Sequence, residues 1–162
     1  MKAMIYESSG GPEVIRVAEV ETPEPGRGEA RVRVVAAALN HLDLWSRRGL
    51  PGIPPAFPHV SGSDVAGIVD AVGEDVAGWQ GGERVVINPT LSCGHCQWCE
   101  GGQDSLCDSF MVLGEHRWGG LAEYVVVPTR NLLRVPNGFP LTEAAAAPLV
   151  YATACLMLIS RA

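Results

Sequence analysis

Four cysteines, Cys93, Cys96, Cys99 and Cys107, follow one another as C-x2-C-x2-C-x7-C. Thiolates spaced this closely can surround one ion at about 2.3 Å each, the tetrahedral arrangement of structural zinc. Gly94, Gly101 and Gly102 supply tight backbone that lets neighbouring sulfurs converge. Four sulfurs close the shell and leave no position for a substrate, so the chemistry expected is structural and not catalytic. The bacterial ferredoxin run ends with a gap of about three residues and a proline; here the last gap is seven and Asp108 follows. Disulfides or free thiols are the remaining readings. His95 lies inside the lobe, but a filled tetrahedron has no use for it and it is expected in solvent.

The elements that must carry this lobe are short and separated by turns. Residues 2–6 and 14–20 are β-prone runs divided by Ser-Ser-Gly-Gly-Pro at 8–12, a breaker cluster. Thr-Pro-Glu-Pro-Gly at 22–26 breaks the chain again, and 31–34 then alternates arginine with valine, the period of a half-exposed strand. Further strands are expected at 64–72, 84–88, 121–127 and 132–135. Short strands at such spacing suggest a barrel or sandwich, because closure removes vulnerable sheet edges. The chain carries 19 glycines and 12 prolines in 162 residues, which also favours a β-rich domain over a helix bundle.

Hydrophobic residues at 47% and charged ones at 19% permit a buried core and argue against disorder. The net charge of -6 offers no basic field for nucleic acid or anionic lipid. Met1-Lys2 is not followed by an apolar leader, so the expected location is the cytoplasm, where clustered cysteines mean metal before disulfides. The longest apolar run, residues 144–159, includes Pro148 and Thr153 and falls short of the roughly 20 residues a membrane helix needs. Thr142 is expected to cap a helix with Glu143 in its first turn, and Pro148 to break it. Beyond the proline the segment is apolar all round, which predicts burial, with Cys155 as a small buried hydrophobe. Its packing partner is absent from the sequence, so the chain is expected to be cut short of a second domain.

Several motifs occur together and in order: Met-Lys-Ala-Met at the start, Ala-Leu-Asn-His-Leu-Asp at 38–43, and Pro-His-Val-Ser-Gly-Ser-Asp-Val-Ala-Gly at 58–67. Gly-Gly-Glu-Arg-Val-Val at 81–86, the cysteine lobe and Gly-Gly-Leu-Ala-Glu-Tyr at 119–124 complete them. The set resembles the catalytic domain of the medium-chain dehydrogenase/reductase superfamily, the zinc-type alcohol dehydrogenases and quinone reductases. The resemblance implies a mainly β fold with short helices, a GroES-like β-barrel over residues 1–140 with a zinc-binding lobe at about 90–110. It also implies that 141–162 begin a Rossmann cofactor domain. No G-x-G-x-x-G is present, so NAD(P) is expected to bind mainly to that missing domain.

The departures from the zinc-dependent members are specific. By resemblance, the catalytic zinc ligands fall at Asn40, at Ser63 and near Leu149, with an accessory acid at Asp64. Asparagine and serine are weak neutral ligands and leucine is none, whereas zinc catalysis needs three firm ligands and an open position. The relay hydroxyl's place holds Leu42, and the relay histidine's place holds Trp45. Asn40 with Asp43 instead resembles the N-x-x-D segment of members without catalytic zinc, which reduce activated double bonds or carbonyls through a nicotinamide. The candidate catalytic residues are therefore Asn40, Asp43, Ser63 and Asp64; His41 and Thr153 are candidate cofactor contacts. His59 and His116, with Asp43 or Asp64, are the residues that would have to build an irregular metal site. Trp45, Phe57 and Trp118 are candidates for an apolar pocket wall.

The function expected is that of a catalytic-domain fragment, inactive alone, from an NAD(P)-dependent quinone, carbonyl or activated-alkene reductase with one structural zinc. A small-molecule substrate and a homo-oligomer at full length are implied, with neither nucleic acid nor membrane as partner. Two alternatives stand beside it: a zinc-dependent alcohol dehydrogenase with an unusual catalytic site, and a free-standing zinc-binding assembly module without activity.

Overall fold

A computed structural model describes residues 1–50, 52 and 56–160. Its largest sheet has five strands, in the order β10 (Leu132–Arg134), β6 (Arg84–Ile87), β5 (Asp64–Val72), β3 (Glu29–Ala38) and β9 (Tyr124–Pro128). All its neighbouring strands run antiparallel. A second sheet places β1 (Lys2–Tyr6) between β2 (Arg16–Glu19) and β4 (His59–Val60). The two sheets are laced together where residues 121–123 run beside β1. Met4 N–H donates to the Leu121 carbonyl at 2.8 Å, Glu123 N–H to the Lys2 carbonyl at 3.0 Å, and Ala3 pairs with Ala122. The result is a barrel-like wrap, mainly β with short helices. A ribbon of β7 (Thr90–Leu91) and β8 (Met111–Val112) carries the cysteine lobe.

Val32, Val65, Val69, Val85, Ile87, Val125 and Val127 are buried together as the main core. Arg31 and Arg33 flank Val32 on the opposite face of β3, whereas in β5 and β9 the opposite face is buried as well, at Asp64, Ala66 and Val126. Strand β2 is shorter than the β-prone run because Pro12–Val14 close a 3-10 turn. Strand β9 starts three residues late because 121–123 serve β1 instead. Strand β3 lies between β5 and β9, and its pairing with β5 shifts register at 31/32 and 34/36, the mark of bulges that bend a strand.

Among the described residues, three of the four α-helices depart from what the sequence predicts. Helix α1 (His41–Arg48) follows β3, and α2 (Gln97–Glu100) sits within the lobe. Helix α3 (Leu141–Ala145) starts one residue before Thr142 and is capped from Pro140, whose carbonyl accepts from Glu143 and Ala144 N–H. Thr142 is thus inside the helix. Ala144 and Ala145 are buried against Ala66 and Val135. Pro148 opens α4 (Pro148–Cys155), where its missing N–H costs nothing, and a π-helical turn continues over Leu156–Ser160. The expected burial of this segment is not found. Val150, Tyr151, Met157, Leu158 and Ile159 are each more than half exposed, and Cys155 is exposed, because no described element packs over them. Among the described residues, no helix is long and apolar enough to cross a membrane.

Candidate functional site

The lobe is rooted in the core before it reaches its cysteines. Leu91 and Leu113 are buried, and the Asn131 amide donates to the carbonyls of Asn88 and Thr90 at 2.9 and 2.8 Å. Beyond this base the four Sγ atoms lie within 4.8 Å of one another. Cys96 and Cys99 stand 3.5 Å apart, and Cys93 and Cys99 3.9 Å. Sulfurs about 2.3 Å from a shared tetrahedral centre are separated by about 3.8 Å, so this donor set fits a structural zinc. The backbone N–H of His95 first of all holds the Cys93 thiol down to about 6, while burial and the Cys99 and Cys93 sulfurs push Cys96 up to about 11, so the clustered sulfurs share protons that a metal would displace. Gly94 has φ +83°, and an added Cβ would collide with the Arg130 guanidinium. That guanidinium donates to Ser92 Oγ at 3.1 Å and closes the lobe against the barrel. The His95 ring is exposed, with Nδ1 3.0 Å from the Cys93 carbonyl.

The second centre forms where β3 hands over to α1. Asn40 is the N-cap of α1 in extended conformation, and Asp43 stands three residues on, a reciprocal capping arrangement. The Asn40 N–H donates to Asp43 Oδ2 at 2.7 Å. Asp43 is buried, and its other oxygen accepts the Gly62 N–H at 2.9 Å. One carboxylate therefore ties the start of α1 to the turn between β4 and β5. Gly62, with φ +106°, has no room for a side chain: an added Cβ would stand 2.8 Å from the Leu121 nitrogen. Gly114 and Gly119 approach Gly62 backbone to backbone, and Gly120 N–H donates to its carbonyl at 2.8 Å.

Asp64 is only 1% exposed. Its Oδ2 accepts from Asn40 Nδ2 at 3.0 Å and its Oδ1 from the Leu149 N–H at 2.8 Å. Burial pushes its pKa upward, and these two donors oppose the shift. Ser63 is fully buried and donates to the Leu113 carbonyl at 2.7 Å. Asn40, His41, Leu42, Trp45, Leu149 and Thr153 line an open concavity of about 400 Å³ between α1 and α4. The structure thus brings Asn40, His41 and Thr153 to one cleft, with Asp43 and Asp64 beneath Asn40, and leaves Ser63 outside it. His41 is exposed, its ring 6.0 Å from that of Trp45, and the Thr153 hydroxyl donates to the Leu149 carbonyl at 2.8 Å.

The other candidate groupings are not assembled. His59 is buried with Nε2 3.0 Å from the Gly114 carbonyl, and burial lowers its pKa. His116 Nδ1 accepts the Val112 N–H at 3.1 Å. Among the described residues, only the four cysteines converge as a group of three or more metal-ligating side chains. Nor do the aromatics share a wall. Trp45 lines the cleft, Phe57 packs edge-on to Tyr6, and Trp118 donates to the Pro58 carbonyl at 2.7 Å. A larger hollow of about 440 Å³ between β10 and α4 is walled by apolar residues such as Val86, Phe139 and Tyr151. Among the described residues, Arg134 is its one charged lining residue, and no carboxylate or histidine lines it. The bonds from Asp43 to Gly62 and from Asp64 to Leu149 escaped sequence reasoning, although Asn40 followed three residues later by Asp43 was a legible capping signal.

Residues 26–137 match the family model of the alcohol dehydrogenase GroES-like domain. The chain is 39% identical over 137 residues to the starvation-sensing protein RspB of Escherichia coli strain K12, covering 85% of this chain and 39% of that protein. An NAD-dependent alcohol dehydrogenase of Sulfolobus acidocaldarius is 34% identical over 155 residues, covering 92% of this chain and 44% of its own. The crystal structure of another NAD-dependent alcohol dehydrogenase superposes with a TM-score of 0.95 at 50% identity, over 99% of this chain and 47% of that one. The chain therefore spans less than half the length of each of these relatives. With the barrel-like wrap, the four-cysteine lobe and a model match through most of its length, this chain belongs to the alcohol dehydrogenase GroES-like domain family.

Proposed function

We propose that the chain is the catalytic domain of an NAD(P)-dependent oxidoreductase that reduces a small quinone, carbonyl or activated alkene without a catalytic zinc. One structural zinc would be held by Cys93, Cys96, Cys99 and Cys107. The observation that carries this reading is the hydrogen-bonded chain Asn40–Asp64–Leu149, set where the family resemblance puts zinc ligands. Asn40 has its nitrogen engaged, Ser63 gives its proton to Leu113, and Leu149 takes part through its backbone alone. Such a set lacks the three firm donors of a catalytic zinc site.

A nicotinamide held chiefly by the rest of the protein would supply the hydride. This chain's residues bind and orient. Asn40 presents the rest of its amide to the cleft, His41 stands at the cleft mouth for the cofactor's anionic portion, and Thr153 offers hydroxyl lone pairs. Trp45 and Leu42 exclude water from one side, and Asp43 fixes the loop that carries Asn40. Positioning of this kind supplies a large share of the barrier reduction in hydride transfer. The exposed apolar face of α4 suits cover by that missing part, in a cytoplasmic enzyme that assembles as a homo-oligomer.

A second reading, a zinc-dependent alcohol dehydrogenase with an irregular site, is favoured by the names of the relatives and by a carboxylate, Asp64, beside the cleft. Metal content and turnover of the full-length protein separate the readings. One zinc per chain with NAD(P)H-driven reduction of quinones or enals supports the first. Two zincs with chelator-sensitive alcohol oxidation support the second. One zinc and no turnover would leave an assembly module.

A further inference from the structure

Asp64 does not line the cleft between α1 and α4, and among the described residues it pairs with no cationic side chain. Burying a carboxylate is costly unless hydrogen bonds offset the lost hydration, and here both partners are neutral donors on different elements. One is the Asn40 side chain at the start of α1; the other is the first available N–H of α4, Leu149, 85 residues further along the chain. No side chain of α4 or its flanks caps that helix. The carboxylate reaches in from β5 to do so, and it also fixes the Asn40 amide. A carboxylate only accepts, so the nitrogen end of Asn40 must face it, leaving the oxygen end toward the Asp43 N–H and the cleft.

We propose that Asp64 is a positioning residue, a buried brace that sets the orientation of the Asn40 amide and the placement of α4 across the cleft. It touches neither substrate nor cofactor and acts through Asn40. Its catalytic consequence rests on the reductase reading; the brace does not.

The test uses the full-length protein with Asp64→Asn and Asp64→Ala. Asparagine keeps the volume and can still accept from Leu149, but it offers an NH2 to Asn40 and turns that amide over. Leu149 amide exchange is expected to stay protected in Asp64→Asn and to speed up about ten-fold or more in Asp64→Ala. NAD(P)H-dependent kcat in Asp64→Asn should fall about ten-fold or more, with KM for the nicotinamide changed less than about three-fold. Wild-type kcat in Asp64→Asn would overturn the catalytic consequence of the brace. Unchanged Leu149 exchange in Asp64→Ala, or unshifted side-chain NH2 resonances of Asn40 in Asp64→Asn, would overturn the brace itself. So would loss of a bound metal from Asp64→Asn, since Asp64 would then be a ligand. If Asp64→Ala does not fold, Asp64→Asn decides alone, the brace through the side-chain NH2 resonances of Asn40, which must shift, and its catalytic consequence through kcat. A wild-type protein without reductase turnover would defeat the functional reading while the exchange and resonance data still judge the brace.

Discussion

Replacing Asp43 removes the carboxylate that joins the α1 cap directly to Gly62. Its two oxygens accept backbone N–H groups at 2.7 and 2.9 Å, and the residue is 6% exposed. Hydrogen bonds to a charged acceptor are each worth about 1.5–3 kcal/mol, and a buried donor left alone costs about 1–3 kcal/mol. Water can reach the Asn40 N–H at the helix start more easily than the Gly62 N–H, so the two losses are not equal. Asp43→Ala should therefore destabilise by about 3–5 kcal/mol. Asp43→Asn keeps one acceptor oxygen and turns an NH2 toward the other donor, for a loss of about 2 kcal/mol. For a chain of this length these correspond to shifts in Tm of roughly 8–15 and 4–8 °C. Urea unfolding followed by tryptophan fluorescence reads the same quantity, with an unchanged slope marking a pure stability effect. A loss below about 1 kcal/mol for Asp43→Ala would refute the assignment of both bonds to a shielded carboxylate.

Gly62→Ala should cost about 3 kcal/mol, because φ +106° and the Leu121 nitrogen at 2.8 Å both oppose a side chain; a Tm within 2 °C of wild type would contradict that packing. Cys107→Ser should weaken zinc retention beyond the roughly 10–100-fold effect of a lost outer-shell contact, and it should open the 93–107 lobe to proteolysis. A chelator competition titration measures the first, and wild-type zinc affinity in the variant would count against the four-sulfur shell. Burial raises the Asp64 pKa, so between the ordinary value of about 3.9 and the raised one the folded state holds more protons. Stability must fall as pH rises through that window, with the full penalty present above it. Tm against pH should be flatter there for Asp64→Asn, and an identical slope would show that Asp64 is not the group responsible.

How much was legible follows from the distance over which each feature is written. The cysteine lobe lies within one short stretch, and spacing alone pointed to its donor set. Strands β1 and β5 were readable because the β-prone runs 2–6 and 64–72 end at breakers, the cluster at 8–12 and Gly73. The bonds beneath the cleft join residue 40 to 64, 43 to 62, and 64 to 149, and no local pattern encodes such pairings. Helix α1 was missed because His41–Arg48 mixes polar and apolar residues without a long stripe, leaving only its end signals, the Asn40–Asp43 cap, Arg47 and Arg48 in the last turn and Gly49 after it. The apolar segment after Pro148 carried the opposite error. Hydrophobicity foretold a partner, and α4 stands uncovered among the described residues.

The contact of Gly62 with Gly114, Gly119 and Gly120 has a consequence for redesign. The segment 61–64 is fastened by main-chain bonds, Gly119 to Val60, Gly120 to Gly62 and Leu121 to Ser61, at 2.8, 2.8 and 3.0 Å. Side-chain substitution cannot retune a junction made of backbone in van der Waals contact. Gly62 and Gly119 admit no side chain there, since an added Cβ would stand 2.8 Å from the Leu121 nitrogen at the first and collide with the Gly62 carbonyl oxygen at the second. Variation that keeps this junction must therefore fall on side chains away from it. Redesign of this domain has to carry 60–63 and 119–121 as one fixed unit and place its changes on side chains outside it.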